Sequence, residues 1–240
     1  MFRLDRVVPW GRSFDEYRRM FALTDDELRL RILGCADGPA SFNAEATRRG
    51  TRVVSCDPIY RYGVEQLRDR IAATYENVLD QTRRNADEFV WTTIRSVEEL
   101  GAVRMAAMKD FLDDYPKGKA EARYVDAELP GLPFDDASFD LALCSHFLFL
   151  YTTQLGESFH LAATGEMCRV ASEVRVFPLL ALGATPSPLV EVVVDAFAGR
   201  GFNVSIEAVP YEFQRGGDRM MRIRRARPML SWIAGSAGSC

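Results

Sequence analysis

Asn203-Val-Ser-Ile-Glu-Ala-Val-Pro-Tyr-Glu-Phe213 and Arg219-Met-Met-Arg-Ile-Arg224 are two strand-patterned runs separated only by Gln214-Arg-Gly-Gly-Asp218, a Gly-Gly turn of hairpin length. Strands joined by so short a turn run antiparallel, because a parallel return needs a crossover of about a dozen residues or more. Everything upstream has the opposite character. Short apolar or β-branched runs alternate with stretches of helical periodicity, the pattern of parallel strands with right-handed crossovers. The expected fold is α/β: a doubly wound, mostly parallel sheet closed by one C-terminal antiparallel hairpin, with residues 1–240 forming a single domain.

Within that domain, Ser13-Phe-Asp-Glu16 reads as a capping box followed by Phe14, Tyr17 and Phe21 at helical spacing, so residues 1–29 form an N-terminal helical cap. Residues 30–59 read as a βαβ start: Leu30-Arg-Ile-Leu33, a tight turn Gly34-Cys-Ala-Asp-Gly38-Pro39, a helix from Phe42 stopped by Gly50, and Thr51-Arg-Val-Val-Ser-Cys56 ending at Asp57-Pro58. Residues 60–115 are charged and helix-like, with a second capping box at Ser96-Val-Glu-Glu99. That is too long for one crossover helix, so two or three helices are expected in an insertion after the second strand, assigned to 60–120, as a lid over the site. Residues 121–225 hold the rest of the sheet. Strands fall at Ala122-Arg-Tyr-Val125, Phe139-Asp-Leu-Ala-Leu-Cys144 and Glu173-Val-Arg-Val-Phe177, and helices at about 156–169 and 188–199. Phe147-Leu-Phe-Leu-Tyr151 reads as a continuation of the fourth strand, and 226–240 as a fraying tail.

The net charge of −4, with basic residues scattered in ones and twos, speaks against nucleic acid as the main partner. No apolar run approaches a bilayer span and the N-terminus Met1-Phe-Arg-Leu-Asp-Arg6 is charged, so a cytoplasmic protein without a membrane partner is expected. The five cysteines include no Cys-x-x-Cys pair, which points to neither a metal site nor a disulfide frame; three sit in apolar runs as small buried hydrophobes.

Three segments carry a resemblance. Ile32-Leu-Gly-Cys-Ala-Asp-Gly38-Pro-Ala-Ser is a strand-turn-helix loop, Asp57 ends the second strand 19 positions after Gly38, and Asp126-Ala-Glu-Leu-Pro-Gly-Leu-Pro-Phe-Asp-Asp-Ala-Ser-Phe-Asp-Leu-Ala-Leu-Cys-Ser-His146 runs from the third strand through the fourth. Together with the C-terminal hairpin, this series resembles the class I S-adenosylmethionine-dependent methyltransferases over about residues 30–224. The resemblance implies a seven-stranded sheet and S-adenosylmethionine as cofactor. It sets Ala36, Gly38 and Ala40 at the family's three glycine positions and Gly34 at its acidic one, with Asp37 as the substitute for that acid. It further implies that Asp57, followed by Pro58, meets the ribose hydroxyls, that Asp126 and Ala127 hold the adenine, and that Ser145 adjoins the cofactor. A nicotinamide fingerprint would need glycines where this loop has Ala36 and Pro39.

His146, just past the fourth strand, is the candidate general base, with Tyr151 next; His160 is read as a packing residue. Trp10 and Arg12 either fold over the cofactor, Arg12 pairing with its carboxylate, or anchor the N-terminal helix. The chain lacks the Asn/Asp-Pro-Pro-Tyr segment of family members that methylate planar amide or base nitrogens, so a small, partly apolar acceptor is expected. Two further readings remain open: cleavage or cyclisation of the cofactor, and a non-catalytic binding domain.

Overall fold

The computed structural model describes residues 8–226. The parallel strands are β1 (Arg31–Cys35), β2 (Arg52–Cys56), β3 (Tyr124–Val125), β4 (Phe139–Ser145) and β5 (Ala171–Phe177); β6 (Phe202–Ala208) and β7 (Arg219–Arg225) close the sheet. Their spatial order is β3-β2-β1-β4-β5-β7-β6, with β7 antiparallel to both of its neighbours. A mostly parallel seven-stranded sheet with this reversed closing pair is the architecture that the class I methyltransferase resemblance implies. A dinucleotide-binding sheet continues in parallel past its fifth strand, whereas here the chain overshoots and returns reversed between β5 and β6.

Alternate residues of each strand feed two cores, as the period of two demands. Ile32, Val53, Leu141 and Leu143 face the layer made by α1 (Phe14–Met20), α2 (Phe42–Arg48) and the insertion. Leu33, Cys35, Ala142, Cys144 and Val174 face α5 (Thr152–Val170) and α6 (Leu189–Ala198). Cys56, Cys35 and Cys144 stand side by side in register on β2, β1 and β4, all buried and free. The insertion is two long helices, α3 (Val64–Arg84) and α4 (Val97–Ala120), with a core of their own around Tyr60, Phe111 and Tyr115. Ser96 caps α4 by accepting the Glu99 N–H at 3.0 Å. No helix among the described residues is long and apolar enough to cross a membrane.

Two expectations need correction. Residues 147–151 do not continue β4: the strand stops at Ser145, because His146 takes a φ of 52° and its N–H donates to the Phe177 carbonyl at 2.6 Å. A left-handed residue ends the pleat, and Phe149–Tyr151 coil into a short 3-10 turn that buries its apolar side chains. The hairpin connection is also longer than Gln214–Asp218. β6 stops at Ala208, since Pro210 has no N–H to give the ladder, and the following residues leave the sheet to bury Tyr211 and Phe213, with Val90 N–H donating to the Phe213 carbonyl at 2.8 Å. The segment assigned as a fraying tail lies, from residue 227 on, outside the described residues.

The N-terminal segment is laid directly on the loop after β1. A side chain at Gly11 would put its Cβ 2.0 Å from the Pro39 carbonyl oxygen, so glycine alone permits the contact, and Ser41 N–H donates to the Arg12 carbonyl at 3.0 Å.

Candidate functional site

In this strand order the chain reverses direction across the sheet between β1 and β4, and the carboxyl ends of those strands open a cleft where ligands of such folds gather. A cavity of about 930 Å³, counted with its mouth, occupies the spot. Its floor is Ala36, Asp37 and Gly38 after β1, Asp57 after β2, and Ser145, the last residue of β4, with His146 after it. Trp10 and Arg12 enter from the N-terminal segment, Val78, Thr82, Leu100 and Arg104 from the insertion, and Phe213 from the segment before β7.

The loop after β1 folds so that Asp37 does what its neighbourhood lacks. Ala36 and Gly38 both take positive φ, 54° and 55°, and the turn swings the Asp37 carboxylate over Gly34 so closely that a Cβ there would lie 1.8 Å from Oδ2. The carboxylate accepts the Tyr17 hydroxyl at 2.8 Å and the Ser55 hydroxyl at 2.6 Å. Burial pushes its pKa up to about 6 against those two donors. Asp57 accepts the Gly38 N–H on one oxygen and the Ile59 N–H on the other, each at 2.9 Å, so it braces the β1 loop and caps the turn Pro58–Arg61 at once. Burial raises it to about 6 as well. Each oxygen keeps a lone pair for a further donor.

Pro58 opens that turn and does not line the cavity. Asp126 and Ala127, after β3, do not line it either: the Asp126 carboxylate sits half exposed with Arg61 Nε 3.6 Å away, and Ala127 packs on the α5/α6 side of the sheet.

His146 is partly buried in the floor. Ser145 Oγ donates to the Met20 sulfur at 3.9 Å and lies 2.9 Å from His146 Nδ1. The imidazole tautomer sets which of the two donates in that contact. Burial, then the charges of Arg12 and Arg104, hold the imidazole pKa well below its ordinary value, so the ring is neutral at physiological pH. Tyr151 lines the same cavity, and burial lifts its phenol to about 12, which makes it a donor there, not a base. His160 is elsewhere, its ring nitrogens 2.6 and 2.7 Å from the Gly156 and Leu148 carbonyls at the break in α5. Trp10 lines the cavity and packs on Tyr75 of α3, ring centroids 5.8 Å apart.

One cluster escaped the sequence reading. Arg104 Nη1 donates to Glu16 Oε2 at 2.6 Å, and Tyr211 donates to the other Glu16 oxygen at 2.8 Å, all three groups buried. Arg104 holds the Glu16 carboxyl down at about 2 despite its burial. The available signal was positional: Arg104 falls on the buried stripe of α4 with Leu100, Ala107, Met108 and Phe111, where a charged residue needs a partner.

The raised Asp37 carboxyl has a measurable consequence. Its pKa is 3.8 ordinarily and about 6 when folded, so the folded chain carries no burial penalty below the lower value and acquires one as pH rises through the upper. Asp37→Asn removes that pH dependence. Relative to the parent, the variant is expected to gain about 2 kcal/mol of stability between pH 4.5 and 7.5, read from denaturant midpoints at each pH. A parent-to-variant difference constant across that range would show that Asp37 titrates normally.

No protein-family model matches the chain. It is 32% identical over 223 residues to the uncharacterized protein MJ0045 of Methanocaldococcus jannaschii, covering 92% of this chain and 98% of that one. The chain belongs to the MJ0045 family. Solved structures similar to this MJ0045-family chain include the magnesium protoporphyrin IX methyltransferase ChlM of Synechocystis PCC 6803 with bound SAM, 12% identical over 89% of this chain and 91% of that chain, TM-score 0.44. Another is the pyocyanin biosynthetic protein PhzM, 18% identical over 88% of this chain and 54% of that chain, TM-score 0.45. Identities this low carry no substrate from those proteins to the MJ0045 family.

Proposed function

We propose that this chain is an S-adenosylmethionine-dependent methyltransferase acting on a small molecule. The observation that carries the reading is the juxtaposition, at the switch point of a class I methyltransferase sheet, of two buried carboxylates on the β1/β2 side with a neutral imidazole at the end of β4. The residues present fit the cofactor. Asp37 offers a buried carboxylate for its ammonium group, in place of the acid missing at Gly34, and Asp57 has lone pairs free for the ribose hydroxyls. Gly38 keeps the approach open, a Cβ there meeting nothing nearer than 3.9 Å. Arg12, whose Nε is buried without a partner, suits the cofactor's carboxylate. Adenine contacts from Asp126 and Ala127 would require Asp126 to leave Arg61.

When bound, S-adenosylmethionine supplies a methyl group that its sulfonium has already made electrophilic. The protein's task is then to align an acceptor and, where the accepting atom carries a proton, to take it. His146 meets the second need in the tautomer whose Nδ1–H donates to Ser145, which leaves the Nε2 lone pair for the acceptor's proton. Tyr151 can donate a hydrogen bond to the acceptor. A small, partly apolar acceptor is supported by walls such as Val78, Leu100, Leu150 and Phe213, by enclosure under two insertion helices, and by the net charge of −4, which does not attract a polyanion.

Product analysis tests this reading. With S-adenosylmethionine alone the protein should form nothing, and S-adenosylhomocysteine should accumulate once an extract holding small acceptors is added, as read by mass spectrometry. Methylthioadenosine formed without any acceptor would make the protein a cofactor-cleaving enzyme instead.

A further inference from the structure

The cavity has two poles, and only one is explained by the cofactor. Asp37 and Asp57 lie on the β1/β2 side. The other pole is linked by contact to the far end of the floor: Arg104 is held by Glu16, Glu16 by Tyr211, and the Tyr211 ring packs on Phe177, the last residue of β5, at 5.7 Å. His146 packs on the same Phe177 ring at 5.4 Å. Arg104 and His146 therefore line one cavity and are joined through Glu16, Tyr211 and Phe177.

Its surroundings do not satisfy it. The Arg104 side chain is 1% exposed and the Glu16 side chain 4%, yet Arg104 Nε has no hydrogen-bond partner, and neither does the buried Nε of Arg12 beside it. An N–H buried without a partner is costly, and more so on a cation. Arg12 is matched by the cofactor's carboxylate under the methyltransferase reading, which leaves the Arg104 Nε–H as the buried donor that neither the protein nor the cofactor satisfies. Around them the wall is apolar: Phe89, Leu100, Leu150 and Phe213.

Resting on the methyltransferase reading, we infer that Arg104 is a specificity residue that binds a carboxylate on the methyl acceptor, so that the substrate class is an apolar or aromatic acid. Glu16 takes Nη1, and a carboxylate on the acceptor presents an oxygen to the Nε–H that remains, a charge-assisted hydrogen bond.

The test titrates benzoate and benzamide, which share a ring and differ in charge, into protein loaded with S-adenosylhomocysteine. The parent is expected to bind benzoate about tenfold or more tighter than benzamide by calorimetry. Two variants are compared: the charge-balanced Glu16→Gln/Arg104→Met pair, and Arg104→Lys, which keeps a partner for Glu16 if the pair variant fails to fold. Both should lose the preference for benzoate while holding S-adenosylhomocysteine within about twofold of the parent. Equal affinity for the two probes, no binding of either, or an undiminished preference in the variants overturns the inference. So does loss of S-adenosylhomocysteine in the variants, which would assign Arg104 to the cofactor. Failure of the parent itself to bind S-adenosylhomocysteine would instead sink the methyltransferase reading beneath it.

Discussion

Replacing Glu16 with alanine is expected to cost about 3–5 kcal/mol of folding stability, the range for removing one partner of a buried ion pair. The carboxylate serves three groups at once. It neutralises Arg104 at 2.6 Å, accepts the Tyr211 hydroxyl at 2.8 Å, and closes the capping box of α1 by accepting the Ser13 N–H at 3.0 Å. Alanine leaves a guanidinium, a phenol and a helix-end N–H without their acceptor, and it loosens the N-terminal cap from α4 and from the segment before β7, both of which the Glu16 carboxylate ties to α1. Urea denaturation of the two proteins measures the difference. A loss under about 1 kcal/mol, the worth of an exposed pair, would mean that water reaches the cluster.

Asp57→Ala is expected to weaken cofactor binding by about 1.5–3 kcal/mol, the contribution of hydrogen bonds to a charged group. The structure adds a second effect, because both oxygens hold backbone N–H groups, of Gly38 and Ile59, that a cofactor would meet in place. Loss of the side chain frees the β1 loop as well as removing the proposed ribose contact, so affinity and stability should fall together. Asp57→Asn keeps an acceptor for one of the two N–H groups and should retain more stability than affinity. Calorimetry with S-adenosylhomocysteine decides: if Asp57→Ala binds as the parent does, Asp57 is only a turn brace.

The alternation of apolar runs and helical stretches, ended by a reversed pair, carries the directions of the strands, because pairing direction follows from connection length; their order across the sheet is seen only in the structure. The site was legible where its residues are neighbours in sequence. Gly34 and Asp37 lie in one turn, and the missing acid at one and its substitute at the other can be seen side by side. Arg104, Glu16 and Tyr211 come from α4, α1 and the segment before β7, 88 and 195 positions from Glu16. No local pattern joins them, and an arginine in a charged helical stretch looks like any solvated one until its apolar stripe is counted. The errors at 147–151 and 209–213 share one cause. Apolar, aromatic residues next to a strand read as more strand, whereas here they are buried by turning out of the sheet into the cores and the cavity wall, a decision made by His146 φ and by Pro210 and not by hydrophobicity. Asp126 shows the converse: a good motif match whose carboxylate faces Arg61 outside the cavity.

The central claim is that this cavity holds S-adenosylmethionine, and direct calorimetry on the folded protein tests it with fewest assumptions. S-adenosylmethionine and S-adenosylhomocysteine are each expected to bind, while NAD and ATP, which lack the amino-acid portion that Asp37 and Arg12 would hold, give no heat. Absence of heat with both sulfur nucleotides, on protein shown to be folded, would contradict the account.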